Sequence, residues 1–268
     1  MDALCTYDKV KNEVQTLYRS RLQTQILLSL NEDKQTLSQI RGITGSTSQA
    51  IIPLIKKLEN DQLIAKKKQD YYLTPLGKVV ASNIADSIMT IGVVDRHKCF
   101  WSNHYLEGIP TSLLNEIGCL YNSKLISDTN TEIFNVYNNY LRILNEADHV
   151  FGVSSIMSTG HADVLSERVC EGIPVELIVT SDVAEQLRQE PYVEKINALD
   201  GYTNFKLMVA DENIRVGVTV TDKCLSLGLY KKDGVTYDTT TDLFSFDQMA
   251  VKWGERLFNY YRNRAKPF

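Results

Sequence analysis

Three aliphatic positions, Ile51, Ile55 and Leu58, stand four and three residues apart within STSQAIIPLIKKLENDQL at 46–63. That spacing lets a helix bury one stripe, and Ser46 is placed to cap it. The opposite side carries Thr47, Gln49, Ile52, Pro53 and Lys56, free to meet something else. Ahead of it, 36–41 reads as a shorter helix with Leu37 and Ile40 inward, and Gly42-Ile43-Thr44-Gly45 as a tight turn. Behind it, Leu63-Ile64-Ala65, three lysines and Tyr71-Tyr72-Leu73-Thr74 read as two strands turning at Gln69-Asp70. Upstream, 10–30 has the pattern of one long helix, with Val10, Val14, Leu17, Ile26 and Leu30 among its apolar positions. Downstream, Thr74 can cap a helix that starts at Pro75. Leu76, Val80, Ile84, Ile88 and Ile91 then recur at helical spacing toward Phe100-Trp101.

Past 107 the pattern changes. Residues 111–121 and 131–145 read as helices, with a short strand at 124–128. The runs HVFGVSS, PVELIVT and FKLMVA are continuous apolar segments separated by helices at 158–171 and 181–199, which describes a buried, largely parallel sheet. RVGVTVT and CLSLGLY follow closely enough to pair antiparallel, and a helix at 245–264 with Met249, Trp253, Leu257 and Tyr260 or Tyr261 inward closes the chain. The expected fold is an α+β winged helix-turn-helix N-terminal domain at 1–75. A long linker and dimerisation helix at 76–106 joins it to an α/β domain with a mixed, partly parallel sheet at 107–268.

Two helices joined by a tight turn form the scaffold that lays its second helix in the DNA major groove, and a lysine-tipped hairpin beside it can neutralise phosphates. The residues expected to face DNA are Ser46, Thr47, Ser48, Gln49, Ile52, Pro53 and Lys56 on the helix, with Lys66, Lys67 and Lys68 on the hairpin. Gln49 is the candidate for base readout, because its amide can pair with an adenine edge. Net charge is −4, unlike a typical nucleic-acid binder, but it is unevenly spread. Residues 1–90 hold 12 Lys and Arg against 9 Asp and Glu, leaving 17 against 24 in the rest. A basic front on an acidic body fits a protein that brings only its front to phosphate. One winged helix offers few phosphate contacts, so a homodimer on paired half-sites is expected.

No unbroken apolar run reaches membrane-spanning length, and MDALCTYDKVKNEV lacks a signal peptide's apolar core, so a cytoplasmic location is expected. The five cysteines are scattered and never in a CxxC pair, which argues against a disulfide framework and a structural zinc site.

Signatures of chemistry are missing. Neither GxGxxG nor GxxxxGK[ST] is present. Gly152-Val153-Ser154 begins like a nucleophile elbow, but Ile156 stands where its second glycine belongs. His161-Ala162-Asp163 resembles in outline the phospholipase D signature, with Asp163 in the place of the lysine. Asp238 and Asp242 sit in a Thr-rich stretch that reads as a turn, without a His or Glu partner in metal-binding spacing. No catalytic residue, metal ligand or cofactor is therefore assigned. Ligands of open α/β sheets bind at the carboxyl ends of the strands, here Ser154-Ser155, Thr180-Ser181 and Asp211-Glu212. Ser154, Ser155, His161 and Thr180 are the candidate ligand-binding residues, for a small polar or anionic effector.

LSQIRGITGSTSQAIIPLIKKLENDQLI, the LTPLGK step, HVFGVSS, GIPVELIVT, LGLYKKDGVTYD and AVKWGERLFNYY together resemble archaeal, methanogen-type winged helix-turn-helix transcriptional regulators. These carry a C-terminal methanogenesis or filament regulator-type domain. The resemblance covers nearly the whole chain. It implies a sequence-specific transcriptional regulator, in methanogens often tied to methylotrophic or one-carbon genes, whose second domain senses a signal. Two alternatives stay open at this point: a hydrolase-like α/β enzyme that uses the winged helix for docking, and an adaptor that has lost DNA binding.

Overall fold

Where one long N-terminal helix is expected, the chain forms two, α1 (Ala3–Arg19) and α2 (Arg21–Glu32). Ser20 separates them in extended conformation, and its hydroxyl accepts the Gln23 N–H at 3.3 Å, capping α2. Burial follows the break: Ile26, Leu27 and Leu30 enter the core, whereas Val10 is exposed at a kink in α1. The computed structural model describes residues 2–210 and 214–268, which fall into two units, 1–88 and 89–268. The Asp211-Glu212 strand end lies outside the described residues.

In the first unit, β1 (Gln35–Thr36) leads into α3 (Leu37–Thr44) through a reciprocal cap. Thr36 Oγ accepts from Gln39 N at 3.3 Å, and Gln39 Oε1 accepts from Thr36 N at 2.8 Å. Helix α3 runs three residues beyond the expected stop, and Gly45 closes it at φ 62°. Helix α4 (Ser48–Asn60) is capped by Thr47 rather than Ser46. Its stripe of Ile51, Ile55 and Leu58 is buried against α2, α3 and the hairpin β2 (Ile64–Lys67) and β3 (Asp70–Leu73). Each such aliphatic side chain contributes about 1.5–3 kcal/mol on leaving water. The hairpin turns at Lys68-Gln69, one residue earlier than expected, with Lys68 at φ 58°. β1 pairs with β3 to make a three-stranded sheet.

Helix α5 (Pro75–Arg96) starts where Thr74 Oγ accepts the Gly77 N–H at 3.0 Å. Only Ala81, Ile84 and Val93 on it are fully buried apolar side chains, while Leu76, Ile88 and Ile91 are exposed. It stops at Arg96, and α6 (Lys98–Asn103) follows a break at His97, so 76–106 is not one helix. Its 22 residues reach a mean hydropathy of 1.2 over 18 positions, enough by length and composition alone to cross a bilayer. No unbroken run announces this, because Lys78, Asn83 and Asp86 interrupt the apolar residues.

Among the described residues, the second unit is built on a nine-stranded sheet. After β4 (His104–Tyr105) come α7 (Thr111–Leu114), one 3-10 turn at Ile117–Leu120, β5 (Lys124–Ser127) and α8 (Asn135–Asn145), all shorter than their predicted counterparts. β6 (Val150–Ser154), α9 (Thr159–Cys170) and β7 (Val175–Thr180) form the parallel core. The predicted helix at 181–199 is two, α10 (Ser181–Leu187) and α11 (Val193–Ala198), separated at Pro191. β8 (Phe205–Ala210) is parallel to β7, and β9 (Val216–Thr221) and β10 (Leu225–Lys231) are antiparallel to one another as expected. β11 (Tyr237–Ser245) occupies the stretch read as a turn. α12 (Gln248–Arg262) and β12 (Ala265–Pro267) end the chain. Strand order is β12-β8-β7-β6-β9-β10-β11-β5, with β4 beside β10.

One face of β9, β10 and β11 is aliphatic: Val216, Val218, Val220, Leu225, Leu227, Leu229 and Leu243 pack with Trp253, Leu257, Phe258 and Tyr261 of α12. Met249, expected inward, is 58% exposed. By the two-residue period of a strand, Gly217, Thr219, Ser226, Gly228 and Asp242 face the other way. All five cysteines are free, and burial pushes the Cys224 thiol up to about 12.

Candidate nucleic-acid interface and effector cavity

Helix α4 keeps apart two sets of side chains. Its buried stripe fixes its rotation about its own axis, which leaves Thr47, Gln49, Ile52, Pro53 and Lys56 exposed, with Ser46 and Ser48 half-buried at its start. Thr47 has a structural duty as well, accepting the Ala50 N–H. Pro53 has no N–H to give to the Gln49 carbonyl one turn earlier, so residue 49 presents both an amide side chain and a freed backbone acceptor on that face. Lys66, Lys67 and Lys68 are exposed on the hairpin, and Lys66 Nζ lies 5.0 Å from the centre of the Tyr71 ring. Arg41 and Lys57, which the sequence pattern did not nominate, are exposed cations of the same two helices. The segment from Thr47 to Lys57 carries no carboxylate, which is unfavourable to an acidic docking face.

The second unit holds a cavity of about 660 Å³ at the carboxyl end of β6. Ser154 and His161 line it. Ser155 and Thr180 do not: the Ser155 hydroxyl is buried with no partner among the described residues, and Thr180 caps α10 by accepting the Val183 N–H at 3.3 Å. Ser154 Oγ also turns locally, donating to the Ile156 carbonyl at 2.6 Å. Asp163 points away into an ion pair with Lys195 on the surface. The His161 ring sits between Tyr137 and Tyr140 of α8, with centroids 5.1 and 4.8 Å away. Burial lowers its pKa to about 4, so the imidazole is neutral at pH 7.

The floor of the cavity is the small, polar face of β9, β10 and β11. Gly217 and Gly228 make room for Tyr237: a methyl group on either would lie 2.3 or 1.9 Å from its hydroxyl. Tyr140 Oη and Thr219 Oγ1 are 3.1 Å apart, and burial raises the Tyr140 pKa to about 12. Asp242 is 6% exposed and accepts from Ser226 Oγ at 3.0 Å. Burial, reinforced by Asp238, pushes its carboxyl up to about 7. Asp238 goes the other way: burial opposes ionisation, but the Thr240 hydroxyl and N–H and the ring of His104 at 3.1 Å hold its pKa below the ordinary value. The sequence pattern did not single out Tyr137, Tyr140, Thr219, Tyr237 and Asp242 as site residues. A usable signal was there, since VGVTVT and LSLGLY alternate apolar with small or polar residues. A face of that kind is ordinarily solvated, and here it is roofed by α8.

Comparison with known proteins adds the decisive observation. Methanogenesis regulatory protein FilR1 has an N-terminal domain that matches residues 11–92 and a middle domain that matches residues 133–264. This chain belongs to the FilR1 family. It is 26% identical over 262 residues to the Methanogenesis regulatory protein FilR1 of Methanothrix harundinacea (strain 6Ac). The alignment takes in 97% of this chain and 58% of that protein, so this FilR1-family chain spans little more than half the length of its curated relative. The family is a regulatory one and not an enzyme family.

Among solved structures, TrmBL2, an archaeal chromatin protein described with a novel mode of DNA binding, is similar over 97% of this chain and all of its own. That likeness has a TM-score of 0.44 at 14% identity. NucT from Helicobacter pylori is similar over 55% of this chain and 98% of its own, with a TM-score of 0.42 at 18% identity. Neither likeness is close enough to assign fold or activity.

Proposed function

We propose that this FilR1-family chain is a sequence-specific, DNA-binding transcriptional regulator of the cytoplasm, acting as a homodimer and governed by a small effector in its second unit. One observation carries the reading: α4 buries Ile51, Ile55 and Leu58 and turns Gln49, Pro53 and Lys56 outward, in the same unit as a lysine-tipped hairpin. This arrangement supports a recognition helix for the major groove with a wing on the flanking backbone. Exposed Leu76, Val79, Ile88, Ile91 and Val94 along α5 support pairing with a second copy. The match to a methanogenesis regulatory protein supports target genes in methanogenesis.

Selection of bound sites from a random duplex pool, run on the parent and on Gln49→Ala, tests this reading. The parent is expected to enrich one motif, and the variant to lose preference at a single base pair by about 1–3 kcal/mol while binding bulk DNA as before. No enriched motif, or an identical one from the variant, would count against it. The cavity supports the sensing half of the proposal. It is roomy enough for a small organic molecule, and Tyr137, Tyr140, Tyr237, Asp242 and His161 surround it.

A further inference from the structure

We infer that the cavity of the second unit takes an organic cation, an ammonium-type group seated between the Asp242 carboxylate and the faces of the surrounding tyrosines. This rests on the effector reading above and narrows it, replacing the anionic effector that hydroxyls and a helix start suggested. Charge disfavours an anion once Asp242 is ionised, above about pH 7. The acidic side chains among the described lining residues are Asp128 and Asp242, and there is no Lys or Arg among them. The one nitrogen base, His161, is held neutral by burial between two tyrosine rings.

Geometry supplies the rest. Asp242 and the Tyr237 hydroxyl converge over Gly228, where a methyl group would meet them at 2.6 and 1.9 Å. The carboxyl group is nearly sealed from solvent, yet among the described residues its hydrogen bond comes from the neutral Ser226 hydroxyl and not from a cation. A buried carboxylate in that state gains most from a ligand that brings positive charge. Tyr137 and Tyr140 place electron-rich rings around the same space, and such faces attract cations, most strongly where water is excluded. Phe134, 61% exposed, adds an aromatic edge at the rim. A neutral polyol would use the same hydroxyls, but it would leave the carboxylate without a counter-charge.

The test is calorimetric titration of the full chain at pH 8, where Asp242 is ionised, with choline and benzyltrimethylammonium, each set against a neutral or anionic counterpart, 3,3-dimethylbutan-1-ol and benzoate. At least one cation is expected to bind, with its counterpart at least tenfold weaker, about the difference that a charge pair makes. Asp242→Asn, which keeps the shape, is expected to weaken the cation about 30-fold or more. Tyr137→Leu is expected to weaken it by a smaller factor. The inference is overturned if neither cation binds, if the alcohol or benzoate binds as well as its cationic partner, or if Asp242→Asn binds like the parent. Tight binding of benzoate or the alcohol would overturn the ligand class and leave the effector reading standing. A cation that binds as expected but leaves DNA affinity unchanged would do the reverse.

Discussion

Asp242→Asn is expected to make the protein more stable at pH 8 and to leave it nearly unchanged at pH 4. Unfolded, this carboxyl ionises near its ordinary value of 3.8, whereas folded it keeps its proton to about 7, chiefly because burial disfavours the charge. Between those pH values the native state holds a proton that the unfolded chain has already lost, so stability falls as pH rises, and above 7 the penalty is constant. Three pH units amount to roughly 4 kcal/mol, the upper limit of what asparagine restores, since its carbonyl can still accept from Ser226. His161 acts in the opposite sense. Its folded pKa of about 4 lies below the ordinary 6.5, so it costs stability as pH falls from 6.5 toward 4. The two slopes offset one another in the parent. The measurement is therefore the difference between parent and Asp242→Asn denaturation free energies across pH 4–8. A difference that does not grow with pH would show that Asp242 is not held protonated.

Gly77→Ala and Gly42→Ala are expected to move stability in opposite directions. Both glycines lie in helices, where alanine is intrinsically better by about 1 kcal/mol. At Gly42 of α3 a methyl group meets nothing within 4 Å, so most of that gain is expected. At Gly77, in the first turn of α5, it would lie 1.7 Å from the Leu63 carbonyl oxygen. That oxygen is backbone and already accepts the Thr74 N–H at 3.0 Å, so it cannot swing aside without opening the junction between hairpin and helix. A loss of about 3 kcal/mol is expected, at the upper end of overpacking costs. Chemical denaturation of both variants reads the two signs. A stabilised Gly77→Ala would mean that α5 does not dock on Leu63 this closely.

The parts of the fold that the sequence made legible are those in which local pattern and tertiary burial agree. Ile51, Ile55 and Leu58 announce a buried stripe, and Thr74-Pro75 announces a helix start, with no help from distant residues. The break at Ser20 was hidden because apolar residues on both sides keep helical spacing, and only the Ser20 cap reveals that the phase is interrupted. YDTTTDLFS looked like a turn by composition. It is an interior strand because β10 on one side and the edge strand β5 on the other supply its hydrogen bonds, which is a non-local fact. The candidate site divides in the same way. The outward side chains of α4 follow from periodicity. The cavity is assembled from four strands and two helices, and of its nominated residues only Ser154 and His161 reach it. Thr180 looked like a ligand hydroxyl and is a helix cap, the commoner use of threonine at such a position.

Whether α4 meets a duplex while the hairpin holds its backbone can be read from the salt dependence of binding. The full chain and Lys66→Ala/Lys67→Ala/Lys68→Ala would be titrated with a selected duplex across a range of salt concentrations. The triple variant is expected to bind all sequences more weakly alike. Its slope of log affinity against log salt is expected to be shallower by about 2–3, since each lysine that neutralises a phosphate contributes close to 0.9. A triple variant with the parent's affinity and the parent's slope would contradict a hairpin seated on the DNA backbone.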